Sequence, residues 1–348
     1  MTPIKAAIIS VSGTCLTDQE KELIRKENPF GVSLFDRNIE TPQQLRRLTD
    51  EIKAVAERDN IIIAVDQEGG RVCRLRPPHF RSYLAQSAIG GLELSSAQQA
   101  AGLQAELIAD DLQQVGINCN FAPTLDASTP LITKALKSRC FSRDPKVISK
   151  LGQIMMDSYQ QHGIIPCLKH IPGHAGAEND PHLQLSVIPR ILKRYLYPFE
   201  QLAPQALMAM TAHIVLSEID SLPITMSKKA ISELIRGHFG FKGLLVSDAL
   251  EMKALSGSIE EKTLACRHAG CDVVCYCHGD IDNVRTVLEH CSYLSEQAMA
   301  VFEKISALIA QPYHADNISQ KEKLYAQLSA LAKPVIDDYD AVEVLNHL

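Results

Sequence analysis

The chain has 348 residues, with 35 Lys and Arg against 41 Asp and Glu, a formal charge of −6. At about 150 residues per domain, that length allows two domains, or one (β/α)8 barrel of about 250 residues with an extension. The acidic balance argues against a nucleic-acid or anionic-membrane partner, which would select a basic face. Its 46% hydrophobic and 22% charged residues exclude extensive disorder.

No apolar run reaches the roughly 18 residues of a membrane helix. The N-terminus has one Lys, Lys5, and a short apolar stretch, without the long apolar core and small-residue cleavage site of a signal peptide. Residues 5–12 are therefore read as a buried first strand, and a cytoplasmic protein is expected.

Short apolar runs then alternate with amphipathic stretches. Strand-like runs are Ala6–Ser12 and Gly31–Phe35, and a helix over Thr41–Arg58 opens on Thr-Pro, a cap followed by a good first-turn residue. Next come the run Ile61–Asp66, a helix over Ser95–Gln114, the run Ile117–Pro123, a helix over Asp144–Gln161 and the run Ile164–His170. The runs Leu207–Ile214, Gly243–Asp248 and Cys271–Cys277 follow, with a helix over Ser227–Phe239 after the first of them. These runs are rich in Ile, Val, Leu and Ala without clean alternation, which suits parallel strands covered on both faces. Eight β–α alternations in one series favour an α/β fold of the (β/α)8 TIM-barrel type, with an open sheet as the alternative. From about residue 292 the chain is helical, with Ala298, Val301, Phe302, Ile305 and Leu308 on one face. The organisation expected is a catalytic barrel over 1–290 and a helical extension over 291–348 packed on it, with an acidic end at Asp337-Asp338-Tyr339-Asp340 loosely held.

The ten cysteines are scattered, several of them inside strand-like runs, as small buried hydrophobes of a reducing compartment would be. Cys266, Cys271, Cys275, Cys277 and His278 form the one cluster, and its spacing matches no common zinc pattern.

A barrel carries its chemistry on the C-terminal ends of its strands. The polar residues that close these runs are Asp66 to Arg71 after the third, Lys169-His170 after the fifth, His213 near the end of the sixth and Ser247-Asp248 after the seventh. Asp248 reads either as an N-cap for a helix over Leu250–Leu255 or as a carboxylate nucleophile or base held at a strand tip. His170, His174 and His182 invite a metal reading, but Pro172-Gly173 breaks any helix between the first two. The other reading is a catalytic loop in which Asp180 orients His182, the side chain best placed to give and take a proton near neutral pH. Asp66, Arg139, Lys169 and His170 would form a polar cradle for sugar hydroxyls, with Arg74 a further cation. Phosphate would also suit such a cluster, yet no Gly-rich phosphate loop precedes a helix here.

Taken together, Gly-Val-Ser-Leu-Phe-Asp-Arg-Asn (31–38), Asp-Gln-Glu-Gly-Gly-Arg-Val (66–72), Ser-Arg-Cys-Phe-Ser-Arg-Asp-Pro (138–145), Lys-His-Ile-Pro-Gly-His (169–174), Asp-Pro-His (180–182) and Ser-Asp-Ala-Leu-Glu-Met (247–252) carry a resemblance. In this order they resemble bacterial β-N-acetylglucosaminidases of glycoside hydrolase family 3, the single-domain cytoplasmic type of peptidoglycan recycling. The resemblance runs from about residue 5 to 280. It implies Asp248 as nucleophile, His182 as acid/base with Asp180 as its partner, and Asp66, Arg74, Arg139, Lys169 and His170 as sugar-binding residues. It implies no cofactor and no metal, and muropeptide fragments with a 1,6-anhydro-muramyl aglycone as the small-molecule substrate. The chain departs from the family with Ala175 where Gly is common, Pro181 where Ser is common and Cys140 where Ser is usual. Ala175 and Pro181 narrow the freedom of a loop expected to move. Many relatives carry a second domain that supplies a carboxylate acid; too little sequence follows the eighth run for that, in keeping with His182.

The mechanism expected is retaining, with two groups about 5 Å apart across the bond and a covalent glycosyl–enzyme between two steps. A His acid leaves less negative charge than a carboxylate, so phosphorolysis is a variant. The other classes are a metal-dependent barrel hydrolase using His170, His174 and His182, and a sugar-binding barrel without turnover. Substrate-assisted chemistry would want adjacent carboxylates, and Asp248-Ala249-Leu250 offers one. There is no Trp, so any stacking on the sugar falls to Tyr or Phe.

Overall fold

A computed structural model describes residues 3–313 and 316–335. Eight parallel strands close into a barrel: β1 (Lys5–Ser10), β2 (Pro29–Leu34), β3 (Ile62–Val65), β4 (Cys119–Asn120), β5 (Ile165–Ile171), β6 (Met208–Thr211), β7 (Leu244–Ala249) and β8 (Val273–Cys275). Each strand pairs with the next in the chain, and β8 pairs with β1 through Ala7 opposite Val274. The closed ring decides against the open sheet.

Helices α1 (Asp18–Glu27), α2 (Pro42–Ala56), α3 (Leu94–Gln114), α4 (Pro145–Gln161), α5 (Lys193–Leu202), α6 (Ala230–His238), α7 (Ile259–Ala269) and α8 (Ile281–His290) follow the strands in turn. Their starts are written locally. Thr41 accepts from the Gln44 N–H with Pro42 in the first turn, and Asp144 accepts from the Lys146 N–H ahead of Pro145. Each such cap contributes about 1 kcal/mol. The helix expected from Ser95 starts one residue earlier, because Glu93 caps it through the Ser95 N–H.

The strands are buried on both faces, which is why they read as continuous apolar runs. Cys119, Cys167 and Cys275 are buried in the barrel: burial and neighbouring thiols push Cys119 and Cys167 up, and for Cys275 a bond to Cys277 that lowers its thiol is outweighed by burial and nearby carboxylates. Several runs are shorter as barrel strands than in the sequence, the eighth reduced to Val273–Cys275 and the fourth and sixth cut further. Only Cys119–Asn120 of the fourth pairs regularly. The sixth splits, with Ile214–Leu216 leaving the ring to pair with Ser186–Ile188.

The tail begins with α9 (Glu296–Ile309), which crosses the N-terminal end of the barrel. Phe302 packs edge-on against Phe30 at 5.3 Å, and Ser306 accepts a bond from Asn60. A last helix, α10 (Ile318–Leu331), lies on α3, where the Tyr325 hydroxyl bonds the Gln104 side chain. The acidic stretch Asp337–Asp340 lies outside the described residues. No helix among those described is long and apolar enough to cross a membrane.

Candidate active site

The C-terminal ends of the strands surround one pocket. After β3 the chain turns into a hairpin, Gln67–Gly69 against Val72–Cys73, which aims Asp66 and Glu68 inward. Gly69 is required there: its φ is +107°, and a Cβ would sit 2.1 Å from the Leu84 carbonyl oxygen. Lys169, from β5, donates to Asp66 Oδ1 at 2.8 Å and lies 2.6 Å from Glu68 Oε1. Arg139 holds Glu68 with two bonds, at 2.9 and 2.8 Å, and Arg74 donates to Asp66 Oδ2 at 3.4 Å. Burial alone would raise both carboxyls. The facing cations outweigh it and hold Asp66 below, and Glu68 well below, the ordinary range. A buried ionic network of this kind is weak evidence for stability, because desolvation offsets its attraction. Here it fixes ions at a pocket wall.

Asp126, on the loop after β4, is fully buried and organises the next wall. Its Oδ2 accepts from the His170 backbone N–H at 3.2 Å and Nδ1 at 2.7 Å. Its Oδ1 accepts from the His174 N–H at 2.7 Å and Nδ1 at 3.1 Å. Both imidazoles thus carry the proton on Nδ1 and present Nε2 the other way. Burial lowers the His170 pKa, and although burial would raise Asp126, the two imidazoles hold it well below the carboxylate range. Asp126→Ala would leave these donors buried and unpaired. It is expected to cost about 3 kcal/mol or more of stability, measured by urea unfolding. A carboxylate with a depressed folded pKa stabilises fully above its unfolded value of about 4 and loses that contribution as pH falls through the folded value. The wild-type urea midpoint is therefore expected to fall on acidification below that pH more steeply than that of Asp126→Asn.

Asp248 sits at the tip of β7. Its N–H donates to Thr211 Oγ1 at 3.3 Å, which is bonded to Thr225 Oγ1 at 2.8 Å, and Thr225 bonds His213 Nδ1 at 2.8 Å. His213 Nε2 faces the Ala249 carbonyl at 3.0 Å and must be its donor. Burial lowers the His213 pKa, in keeping with a neutral ring. The chain of bonds locks the backbone on either side of Asp248. Burial would raise the Asp248 carboxyl, but His213, His170 and the Ala249 N–H hold it below the ordinary value. Residues 250–255 form turns, not a helix, so the helix-cap reading of Asp248 does not hold.

The loop after β5 folds across the pocket. It is tied by the Thr133 N–H to the Ala177 carbonyl and by the Ala254 N–H to the Pro181 carbonyl. Asp180 Oδ1 accepts from both the N–H and Nδ1 of His182, at 2.9 and 2.7 Å. His182 lines the pocket together with Asp248, Asp66, Arg74, Arg139, Lys169 and His170, and its side chain is 23% exposed. The residues singled out in the sequence thus meet in one place. Phe35 is there too, with the Arg74 guanidinium 5.3 Å from its ring centre.

A family model for the N-terminal domain of glycosyl hydrolase family 3 matches residues 5–308. The chain belongs to that family. A β-hexosaminidase of Bordetella avium is 35% identical over 288 residues, covering 80% of this chain and 82% of that protein. One of Alkalilimnicola ehrlichii is 35% identical over 293 residues, covering 81% and 83%. The crystal structure of NagZ from Neisseria gonorrhoeae in complex with N-trifluoroacetyl-D-glucosamine has a TM-score of 0.83 at 28% identity, covering 95% of this chain and 99% of that one.

In this family 3 chain the three loop histidines do not converge as a metal set. His170 and His174 share Asp126, the one group among the described residues with clustered ligand atoms, while His182 turns to Asp180. The Cys266–Cys277 stretch forms no such group among the described residues; Cys275 and Cys277 Sγ lie 3.6 Å apart, as their shared strand face requires. Cys140, at a position where Ser is usual, is buried and donates to the Leu136 carbonyl at 3.1 Å. Three carboxylates were missed as site residues. Glu68 and Glu251 lie within motifs that carry the resemblance but have no role assigned by it, and Asp126 lies in none of them. A carboxylate closing the fourth apolar run by three residues was the only local signal for Asp126.

Proposed function

We propose that the chain is a retaining exo-β-N-acetylglucosaminidase. It removes terminal β-linked N-acetylglucosamine from peptidoglycan fragments, the GlcNAc-1,6-anhydro-MurNAc peptides of cell-wall recycling, in the cytoplasm. The observation that carries the reading is that Asp248, at the tip of β7, and His182, on the loop after β5, line one pocket whose far wall is the Asp66–Glu68–Arg139–Lys169 cradle. The family and the names of the relatives support the sugar class, and unpaired cysteines throughout the chain suit a reducing compartment.

In the first step an Asp248 oxygen attacks the anomeric carbon. His182, protonated on both nitrogens, gives the Nε2 proton to the departing glycosidic oxygen. Asp180 stabilises the imidazolium through Nδ1. In the second step Nε2 takes a proton from water, the water oxygen bonds the anomeric carbon, and the Asp248 carboxylate leaves. Asp66, Arg74, Arg139, Lys169 and His170 bind the sugar hydroxyls, with Glu68 fixing the cations. No step calls for a cofactor.

The test is chromophore release from an aryl N-acetyl-β-glucosaminide, with the aryl glucoside as comparison, in phosphate-free buffer containing a chelator. Release from the acetamido sugar alone is expected. Release only after adding phosphate would make the enzyme a phosphorylase, and none under either condition would leave a sugar-binding barrel.

A further inference from the structure

We infer that Glu251 is a specificity-determining residue that donates a hydrogen bond from a neutral carboxyl to the acetamido carbonyl of the bound sugar. The inference rests on the glycosidase reading above and assigns the C2 group within it. Glu251 is the third residue after Asp248, on the turn that leaves β7, and it lines the same pocket, half-buried. Its Oε2 accepts the Cys277 N–H at 3.2 Å, which fixes the carboxyl between the ends of β7 and β8. With that oxygen held as an acceptor, the proton of a neutral carboxyl belongs on Oε1.

Position selects the ligand group. The hydroxyl-binding cations and carboxylates come from β3 to β5, on the far side of the barrel mouth. C2 adjoins the anomeric carbon that Asp248 attacks, so its substituent lies against the neighbouring wall, and that wall is Glu251, Met252 and Cys277. An acetamido group offers a carbonyl acceptor and a methyl, which match one O–H donor flanked by thioether and thiol surfaces. An ionised Glu251 would have no proton to give, and its charge would add to that of Asp248.

Burial and the Asp248 charge favour the neutral form of Glu251, against the Cys277 N–H and the cations nearby. Burial is the main cause that pushes its carboxyl up, to about 7, and Asp248 adds to it while His182 across the pocket opposes. Arg37, which bonds the Cys277 carbonyl at 2.7 Å, and Lys262 of α7 face it as cations. Tyr276 and the Cys275–Cys277 thiols face it from β8 as groups that stay neutral.

The experiment compares wild type, Glu251→Gln and Glu251→Ala on an aryl N-acetyl-β-glucosaminide from about pH 5 to about pH 9, with kcat and KM separated. Wild-type KM is expected to rise about tenfold per unit above about pH 7. Glu251→Gln keeps a donor, so KM at about pH 6 stays within about threefold of wild type and the alkaline rise disappears. Glu251→Ala raises KM about tenfold or more across the range, with kcat changed less than about threefold. A glutamine variant that retains the alkaline rise overturns the inference. So does an alanine variant with unchanged KM, or one that loses kcat as severely as Asp248→Asn. If wild type releases no chromophore, the glycosidase reading fails by itself. Calorimetric binding of N-acetylglucosamine against glucose to wild type and Glu251→Gln then decides on Glu251: equal preference for the acetamido sugar supports the contact, and no preference in wild type overturns it.

Discussion

Asp248→Asn is expected to lower kcat/KM by about 10⁴-fold or more, as removal of a nucleophile does elsewhere. The amide is isosteric, and its oxygen can still take the Ala249 N–H that bonds Asp248 Oδ1 at 2.8 Å. The Thr211–Thr225–His213 bonds involve the backbone at 248 and 249, so they persist. What is lost is the charge and the ability to form a bond to the anomeric carbon. On the reading proposed above the sugar is held by the cradle on the other wall and by Glu251, neither of which the substitution alters, so sugar affinity should change little. Chromophore release and the binding of N-acetylglucosamine to the same preparation check both statements. A variant that loses binding as heavily as turnover would mean that Asp248 holds the site together instead of reacting.

His182→Ala has the second largest expected effect, about 10²–10⁴-fold in kcat/KM, the usual worth of a general acid/base. Its size depends on the leaving group. An alkoxide departs poorly without a proton, whereas dinitrophenolate needs almost none. Release of dinitrophenol should therefore suffer least and release of a sugar alcohol most. Asp180→Ala should reproduce a milder version, because on the proposed reading Asp180 acts through His182 Nδ1, which it bonds at 2.7 Å. Equal losses for good and poor leaving groups would remove His182 from the acid role.

The barrel was legible because its strands are short, continuous and bounded by caps that work locally, as at Thr41-Pro42 and Asp144-Pro145. The residues at strand ends were legible for the same reason: a charged group that closes an apolar run marks the end of the strand, and at the mouth of a barrel it meets the charged groups that close its neighbours. Asp66, Lys169, His170 and Asp248 all obey that rule. What escaped reading depends on contacts across the chain. Glu68 acquires its role only when Arg139, from the loop after β4, and Lys169, from β5, arrive 71 and 101 residues on in the sequence. Asp126 looks like any loop carboxylate until the β5 loop returns two imidazoles to it. The sixth run, Leu207–Ile214, read as one strand because apolar patterning cannot distinguish Met208–Thr211, which stays in the ring, from Ile214, which opens a segment that leaves it to pair elsewhere. His213 was visible at a strand end, but its task as a brace for the β7 tip depends on Thr225, and no spacing announces that pair.

The central claim is that Asp248 carries the sugar covalently between two steps that His182 serves in turn. It is tested most directly in His182→Ala turning over dinitrophenyl N-acetyl-β-glucosaminide. The first step needs little acid there, and the second has lost its base. Acid quench during turnover, followed by peptide mass spectrometry, should find one N-acetylhexosaminyl group on the peptide that contains Asp248. An unmodified Asp248 peptide, with the α-anomer as the first product formed by wild type, would contradict the account.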